Sequence, residues 1–380
     1  MNRTAAYLLS ALLLMLCSPA AAQDPDSAYL ARVQDTVDRY YRLHPRKRLS
    51  GEERRFRVIP LYGIMYTPET GPLAMGGFMG SYRTSRDTLV PLSSVGAVAM
   101  VSTNLSVAGA VTGDWYGPAG GFRIRYLVRF NNSPRYFWGL GFDSAIDDAS
   151  RSTLTSRRVR ARAEFLYRRG GLLQAGGFLG YDFYRAADFS DPQAVAGLPL
   201  TTGYMTMGAY FDLDTRDSRT APSRGVYLML EPGINIPLAG TAFFFSTEFT
   251  ADFYFPLWKG CVGAVDIYGN LLTGGAPWTM WPEAGGDVRL RGYYQGRYRD
   301  RNLLSFQLEL RQTVYRSHGL AAWIGAGNVF PSFGDLDIKN TLPTYGAGYR
   351  LSFLGLVLRL DAGFGLRGQW AVTAGLSHSF

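Results

Sequence analysis

Polar and apolar side chains alternate along most of this chain from Pro72 onward. In the stretch 158–165, Arg-Val-Arg-Ala-Arg-Ala-Glu-Phe, charged residues alternate with apolar ones, and the same period of two recurs at 123–130 and 306–311. Because successive side chains of a β-strand point to opposite faces, this pattern predicts strands with one charged and one apolar face. Such strands run to ten or more residues. Strands in soluble sheets are usually about five or six residues long, which argues against a soluble β-sandwich.

The alternation and the intervening turn residues predict sixteen strands. Their predicted bounds are 72–84, 92–101, 104–115, 119–130, 134–143, 154–169, 171–184, 203–213, 225–236, 241–255, 261–272, 302–315, 319–330, 342–354, 356–367 and 369–380. The long connections 144–153, 185–202, 273–301 and 331–341 fall on one side of this arrangement, and the short connections 102–103, 131–133, 170, 316–318 and 355 fall on the other. The connection 214–224 is the main exception, because it is long but lies on the short side.

Composition places these strands in a membrane. Aromatic residues make up 14% of the chain and charged residues 18%, and 45 residues are glycine, which is rich in aromatics and poor in charge for a soluble domain. Beyond the N-terminal segment there is no apolar run of about 18 residues, so no spanning helix is expected. The predicted fold is therefore an all-β, 16-stranded antiparallel transmembrane β-barrel, in which strands satisfy each other's backbone hydrogen bonds. In bacterial barrels the short turns are periplasmic and the long loops external.

The charged strand faces supply the candidate lumen residues. An arginine facing lipid costs about 2–4 kcal/mol near the bilayer midplane, so these side chains are predicted to point inward. The lumen-lining residues predicted in this way are Arg123, Arg125, Arg158, Arg160, Arg162, Gln307 and Arg311. A cationic lumen would favour anions, so a passive anion-favouring pore or a structural surface barrel is the alternative function. Nucleic acid is not an expected partner, because the arginines alternate along strands and form no single exposed patch.

The N-terminus is predicted to be an export signal comprising residues 1–22. A short basic start, an apolar stretch at 5–16 and the small residues Ala20-Ala21-Ala22 fit a signal peptide with cleavage after Ala22. The alternatives are an anchor helix and a lipoprotein signal at Cys17, which the large Leu16 before it disfavours. Cleavage would leave Cys261 as the one thiol, so no intramolecular disulfide is expected.

Residues 23–55 differ from the rest of the chain. A helical spacing of apolar residues over 27–43, ended by Pro45, predicts a short periplasmic or lumenal helix, and a basic linker follows it. A disordered tail is the alternative. Residues 56–380 are then assigned to the barrel.

The last eight residues, 373–380, resemble the terminal β-signal of outer-membrane proteins. Gly375 and Phe380 fit that ending, whereas His378 stands where an aromatic residue is usual. Alternation predicts that His378 and Phe380 share the lipid-facing side with Trp370, Val372 and Leu376. With the export signal, this ending places the protein in the bacterial outer membrane, with membrane lipid as a partner.

The most distinctive segment lies between the predicted eleventh and twelfth strands. Residues 285–300 read Gly-Gly-Asp-Val-Arg-Leu-Arg-Gly-Tyr-Tyr-Gln-Gly-Arg-Tyr-Arg-Asp. The connection is long enough to indicate a functional or lumen-filling loop, and its arginines are suited to binding carboxylates. Gly292 allows a sharp turn beside Arg291.

This segment resembles the conserved loop of the BamA/TamA superfamily, also called the bacterial surface antigen family. The loop motif is Leu290, Arg291, Gly292 and Tyr293. The five strands that follow, the C-terminal ending and a periplasmic turn motif extend the resemblance from about Tyr204 to Phe380. The turn motif consists of Asp214, Arg216, Asp217, Pro222 and Gly225.

The resemblance implies that the loop folds into the lumen and that its arginine pairs with acidic residues of the following strands. Glu309 is the matching anchor for Arg291. A second acid is usual on the next strand, but Gly325 occupies that place, so the second anchor is expected to be missing. In such barrels the seam between the first and last strands opens toward lipid, and Gly76, Gly77 and Gly80 would make the first predicted strand light in side chains.

The resemblance also implies a role in inserting or translocating proteins or lipids at the outer membrane. Fuller members carry periplasmic POTRA domains, for which residues 23–55 leave no room, so a separate periplasmic partner protein is expected. An enzyme is not expected, because His44, His318 and His378 cannot share one site, and no cofactor or metal ion is predicted.

Overall fold

The computed structural model describes residues 56–67, 70–85, 90–104, 106–169, 172–239, 242–353, 356–376 and 378–380. The predicted signal peptide 1–22 and the predicted helix and linker at 23–55 lie outside the described residues. Among the described helices, none is both long and apolar enough to cross a membrane.

Sixteen antiparallel strands form one sheet in which each strand pairs with its neighbours in sequence. The strands are β1 (Phe56–Thr67), β2 (Gly71–Tyr82), β3 (Ser93–Ser102), β4 (Val107–Tyr116), β5 (Phe122–Phe137), β6 (Ser152–Arg169), β7 (Leu173–Ala187), β8 (Thr201–Asp214), β9 (Gly225–Ala239), β10 (Phe244–Trp258), β11 (Cys261–Gly274), β12 (Asn302–Tyr315), β13 (His318–Phe330), β14 (Leu342–Phe353), β15 (Leu356–Phe364) and β16 (Trp370–Leu376). The predicted fold class and the count of sixteen strands are confirmed. The count is right because two errors cancel, since one strand was missed and another was divided in two.

The first error is at the N-terminal edge, where the prediction missed β1. This strand contains Pro60 and is apolar on both faces, so it lacks the alternation that marks the others. It pairs with β2 along its whole length. Because no ladder joins it to another described strand on its other side, a residue without an N–H is tolerated there.

The second error is at β5, which the prediction divided by a turn at 131–133. The sequence Asn-Asn-Ser-Pro has turn composition, yet β5 continues to Phe137 in register with β6. Its ladder with β4 ends at Asn132, so the strand beyond has a neighbour on one side only. Pro134 therefore removes no ladder hydrogen bond on the unpaired side.

With the corrected strand bounds, four long connections from β5 onward still lie at one end of the sheet. The connections 138–151, 188–200, 275–301 and 331–341 lie at one end of the sheet, and β6, β10, β12 and β14 end at the other. By the barrel rule the first end is external and the second periplasmic. The connection 103–106, predicted as a periplasmic turn at 102–103, lies at the external end, because β1 shifts the strands before β6 by one place.

The sheet curls around the loop 275–301. Glu283 of this loop binds Arg135 of β5, and Asp287 binds Arg359 of β15, so strands far apart in the sheet approach the same segment. Apolar side chains such as Val128 and Phe130 are exposed on the other face of the sheet, which is the lipid-facing surface of the barrel. The long loop thus occupies the lumen.

A short helix, α1 (Gly141–Ile146), covers the external end of the lumen. Its Gly141 N–H donates to the carbonyl oxygen of Arg299 at 2.8 Å. Phe142 packs against Tyr298, with ring centroids 5.7 Å apart. The external loops and the lumen loop therefore form one packed cap.

The seam between β1 and β16 has no backbone ladder among the described residues of those strands. Its composition also differs from the prediction, because Gly76, Gly77 and Gly80 belong to β2, which is paired on both sides. The strand at the edge, β1, has large side chains at most positions.

Candidate functional site: the arginine loop inside the barrel

The loop motif makes a tight backbone turn. Leu290 has φ 49° and Gly292 has φ 113°, so both lie in the left-handed region. The N–H of Tyr293 donates to the carbonyl oxygen of Leu290 at 3.3 Å, closing the turn around Arg291. Left-handed backbone is unfavourable for leucine, and the contacts of the motif hold it there.

Arg291 lies between two carboxylates. Its Nη1 donates to Asp361 at 2.7 Å, and its Nη2 donates to Glu309. The guanidinium carbon lies 3.5 Å from the ring centroid of Trp323. The residue is 1% exposed. A guanidinium can donate to two carboxylates at once and stack on an aromatic face, which a lysine ammonium cannot match.

Glu309 of β12 is the centre of a wider network. It also accepts hydrogen bonds from Arg311 Nε at 2.8 Å and from the Ser379 hydroxyl at 2.9 Å. Arg350 Nη2 lies 3.7 Å away. The carboxylate therefore links the loop, the barrel wall and the end of the chain.

Asp361 is a second anchor that the sequence analysis missed. Gly325 indeed supplies no acid from β13, but the second carboxylate comes from β15, two strands further on. Asp361 also binds Arg350 of β14 and Arg359 of its own strand. The expectation of a missing second anchor is therefore corrected. The signal was present, since Arg359 and Asp361 alternate with Leu358 and Leu360 along one strand.

Tyr293 fixes the other end of the motif. Its hydroxyl donates to the Pro343 carbonyl oxygen at 2.6 Å and accepts from the Leu366 N–H at 2.7 Å. The Arg291 carbonyl oxygen accepts from the Thr344 hydroxyl at 2.5 Å. The motif is thereby joined to β14 and to the connection after β15.

Glycines on the inner wall make room for the motif. A Cβ on Gly327 of β13 would lie 2.7 Å from the Leu290 side chain, and one on Gly363 of β15 would lie 2.6 Å from the Arg291 backbone. A Cβ on Gly365 would meet the Tyr293 ring at 2.5 Å. At Gly363 the close atoms are backbone, so that position excludes a larger residue while the loop is docked, whereas at Gly327 and Gly365 the Leu290 and Tyr293 side chains would have to shift. No sequence pattern marked these three glycines.

Ion pairs of Arg289 and Glu283 also attach the loop to the wall. Arg289 binds Asp266 of β11 at 2.7 Å, and Glu283 binds Arg135 of β5 at 2.7 Å and Arg299 at 2.8 Å. Burial by itself would raise the pKa of Glu283, but the guanidinium groups of Arg135 and Arg299 outweigh it and hold that pKa below its ordinary value. Glu283 is therefore a stable anion.

The predicted lumen arginines face inward but are paired with acids. The pairs are Arg123–Asp114, Arg125–Glu164, Arg158–Asp182, Arg160–Asp182 and Arg162–Glu231. This neutralises most of the positive charge on which the anion-favouring pore depended. Gln307 is buried on the inner face of β12, opposite Asp266 in the ladder.

The periplasmic turn motif between β8 and β9 is held by contacts among its own residues. Asp214 accepts from the Arg216 guanidinium at 2.9 Å, and Asp217 accepts from the Ser223 N–H at 2.9 Å. Gly225 has φ 112°, where a Cβ would lie 2.5 Å from the Thr215 carbonyl oxygen. Pro222 is buried in the turn.

The predicted orientation of the last residues is wrong. Trp370 and Val372 are exposed, as expected of the lipid face, but β16 ends at Leu376 and the chain then leaves the sheet. The Phe380 ring lies 5.0 Å from the Arg311 guanidinium, inside the barrel, and the His378 N–H donates to the Thr220 carbonyl oxygen at 3.1 Å. Strand alternation does not apply beyond the strand.

Gly375 is on the inner face of β16. A Cβ there would lie 2.7 Å from the Arg359 guanidinium. The glycine of the terminal signal thus leaves space for a member of the arginine network.

The histidines do not form one site. His318 contacts the Tyr349 hydroxyl at the turn between β12 and β13, whereas His378 lies beside Thr220. His44 lies outside the described residues. In the part of the chain that the structure describes, no group of three or more His, Cys, Asp or Glu side chains is placed to hold a metal ion.

The fold and the anchored loop define an outer-membrane β-barrel protein with a lumen plug. The chain belongs to the Omp85 superfamily, whose domain matches residues 114–374. No curated protein sequence matches the chain.

Solved structures show the same fold at low sequence identity. A crystal structure of BamA from Haemophilus ducreyi lacking POTRA domains 1–3 matches with a TM-score of 0.62 at 11% identity, covering 86% of this chain and 71% of that one. CdiB from Escherichia coli matches with a TM-score of 0.58 at 13% identity, covering 92% of this chain and 70% of that one. CdiB from Acinetobacter baumannii matches with a TM-score of 0.53 at 12% identity, covering 85% of this chain and 59% of that one.

Proposed function

We propose that this barrel assists the insertion or translocation of proteins or lipids at the outer membrane, with a separate periplasmic partner. The observation that carries the proposal is the arginine loop, clamped to Glu309 and Asp361 inside the lumen. A lumen occupied in this way leaves little space for passive diffusion. The proposed role therefore depends on the strands of the barrel wall and not on an open lumen.

The seam between β1 and β16 supports proteins as the substrate class. Among the described residues, no ladder joins β1 to β16. A seam that is not closed by a ladder can admit another extended chain, which adds to a strand edge through main-chain hydrogen bonds. Lipids offer no such hydrogen-bonding partner.

The periplasmic turn motif supports the proposed partner. The turn holds a fixed shape through the contacts of Asp214 and Asp217, while Arg224 and Asp217 are exposed. A rigid turn with charged side chains offers a surface that a periplasmic protein can recognise. We propose that this partner delivers the substrate.

The test is an insertion assay in liposomes containing the purified barrel and an unfolded outer-membrane β-barrel substrate. A disulfide between β1 and β16, placed in a Cys261→Ser background, should suppress insertion, and reduction should restore it. A disulfide between β8 and β9, which are already paired, is the control. An oxidised seam that leaves insertion unchanged contradicts the proposal.

Two further measurements in the same liposomes separate the alternatives. Lipid exchange between leaflets without protein insertion would identify lipid as the substrate. Single-channel recording distinguishes a passive pore from a plugged barrel. Large, steady, anion-selective currents would favour passive diffusion, and small or absent currents would favour a plugged barrel.

A further inference from the structure

Two neighbouring turns at the periplasmic end carry exposed basic residues. Lys259 lies in the turn between β10 and β11, and Arg316 lies in the turn between β12 and β13. The Thr313 N–H donates to the Gly260 carbonyl oxygen at 2.8 Å, which holds the two turns side by side. Within 256–263 and 312–320, all of which the structure describes, there is no aspartate or glutamate.

Two large aromatic side chains flank these charges. Trp258 and Tyr315 are each 60% exposed. The Trp258 Nε1 donates to Gln312 at 2.8 Å, which orients the indole across the outer face of the sheet. We call Trp258, Lys259, Tyr315 and Arg316 the basic aromatic rim. It continues the apolar outer surface, on which Val314 and Leu320 are also exposed.

The backbone at Arg316 is unusual. Its φ of 49° is left-handed, whereas the neighbouring turn uses Gly260, with φ 76°, for that conformation. A side chain with a Cβ is disfavoured there, so glycine would be the easier residue. The guanidinium lies 5.0 Å from the Tyr315 ring centroid, which places the charge beside the aromatic surface.

We propose that the basic aromatic rim binds the headgroup of an anionic phospholipid in the periplasmic leaflet. Lys259 and Arg316 hold the phosphate, and Trp258 and Tyr315 contact the glycerol region, where aromatic side chains favour the interface. The rim is continuous with the lipid-facing wall, which makes lipid the occupant. A free anion would gain nothing from contact with the exposed aromatic and aliphatic groups, whereas a lipid molecule would bury them. The inference depends on the membrane location and not on the proposed insertion function.

The experiment is native mass spectrometry of the full chain in detergent, with phosphatidylglycerol and phosphatidylcholine supplied in competition. The wild-type protein should retain phosphatidylglycerol preferentially. The double variant Lys259→Gln, Arg316→Gln should lose this preference by about fivefold for each basic side chain, or about twenty-fivefold in all. Arg316→Gly should lose about fivefold while its unfolding temperature stays the same or rises, because glycine accepts the left-handed backbone.

The matched control is Lys339→Gln, Arg367→Gln. It removes the same charge from two exposed residues at the external end, and Arg367 also has a left-handed backbone, with φ 53°. Its lipid preference should equal that of the wild-type protein. The proposal is overturned if the rim variant keeps its preference, if the control loses it equally, or if an equal concentration of inorganic phosphate displaces the lipid. Selective retention of an acidic protein in place of lipid would also overturn it.

Discussion

The Nη1 atom of Arg291 lies 2.7 Å from a carboxylate oxygen of Asp361, although 70 residues separate them in the chain. This contact joins the lumen loop to β15, while the pair with Glu309 joins it to β12. The loop thus spans four strands of the wall and holds their relative positions. Disturbing the pair should affect both the loop and the barrel.

Replacing Arg291 by lysine should destabilise the barrel by about 3 kcal/mol. A lysine ammonium cannot donate hydrogen bonds to both buried carboxylates in the geometry that the guanidinium uses. The free energy of unfolding by urea in detergent measures the loss. Arg289→Lys is the control, since Arg289 pairs with one acid and is partly exposed. Equal stability of Arg291→Lys and the wild-type protein would contradict the assigned role.

A charge exchange at the first anchor should fail to restore stability. In the double variant Arg291→Glu, Glu309→Arg, the new glutamate faces Asp361 and the new arginine faces Arg311. Each single variant and the double variant should therefore unfold more readily than the wild-type protein. Recovery in the double variant would show that Arg291 and Glu309 form an isolated pair, contrary to the network described above.

Adding a methyl group at Gly363 should displace the loop. The new Cβ would lie 2.6 Å from the Arg291 backbone, and such overpacking costs about 1–3 kcal/mol. Limited trypsin digestion should then cut Gly363→Ala after Arg289 or Arg291, where the wild-type loop is protected. Gly334→Ala is the control, because the nearest atom to its Cβ lies at 3.7 Å. Equal protection in both variants would show that the loop tolerates the methyl group.

The contribution of Glu283 to the free energy of unfolding should persist at mildly acidic pH. Its folded pKa is depressed below the ordinary value of 4.5, so its ion pairs stabilise the fold above that pH and are lost only as pH falls through the folded pKa. The difference in unfolding free energy between the wild-type protein and Glu283→Gln should stay constant from about pH 8 to pH 5 and shrink only below the ordinary value. A difference that already shrinks near pH 6 would count against the Arg135 and Arg299 contacts.

Much of this architecture is encoded locally. Period-two alternation identified most strands, because one face meets lipid and the other a polar lumen. The charged inner faces are visible for the same reason, whereas the loop motif is recognised by its arginines and by its resemblance to the family's loop. Alternation failed at β1 and at the last residues, where the chain is apolar on both sides or has left the sheet.

The sequence by itself determined the strand content, the inward charges and the loop that marks the superfamily. Only the tertiary structure decided that Asp361 is the second carboxylate bound to Arg291, since Asp361 and the expected anchor Glu309 come together through strand order and curvature of the sheet. It also decided that Gly363 and Gly365 lie beneath the loop and that Phe380 points inward. Such contacts join residues far apart in sequence, and no local pattern of side chains specifies them.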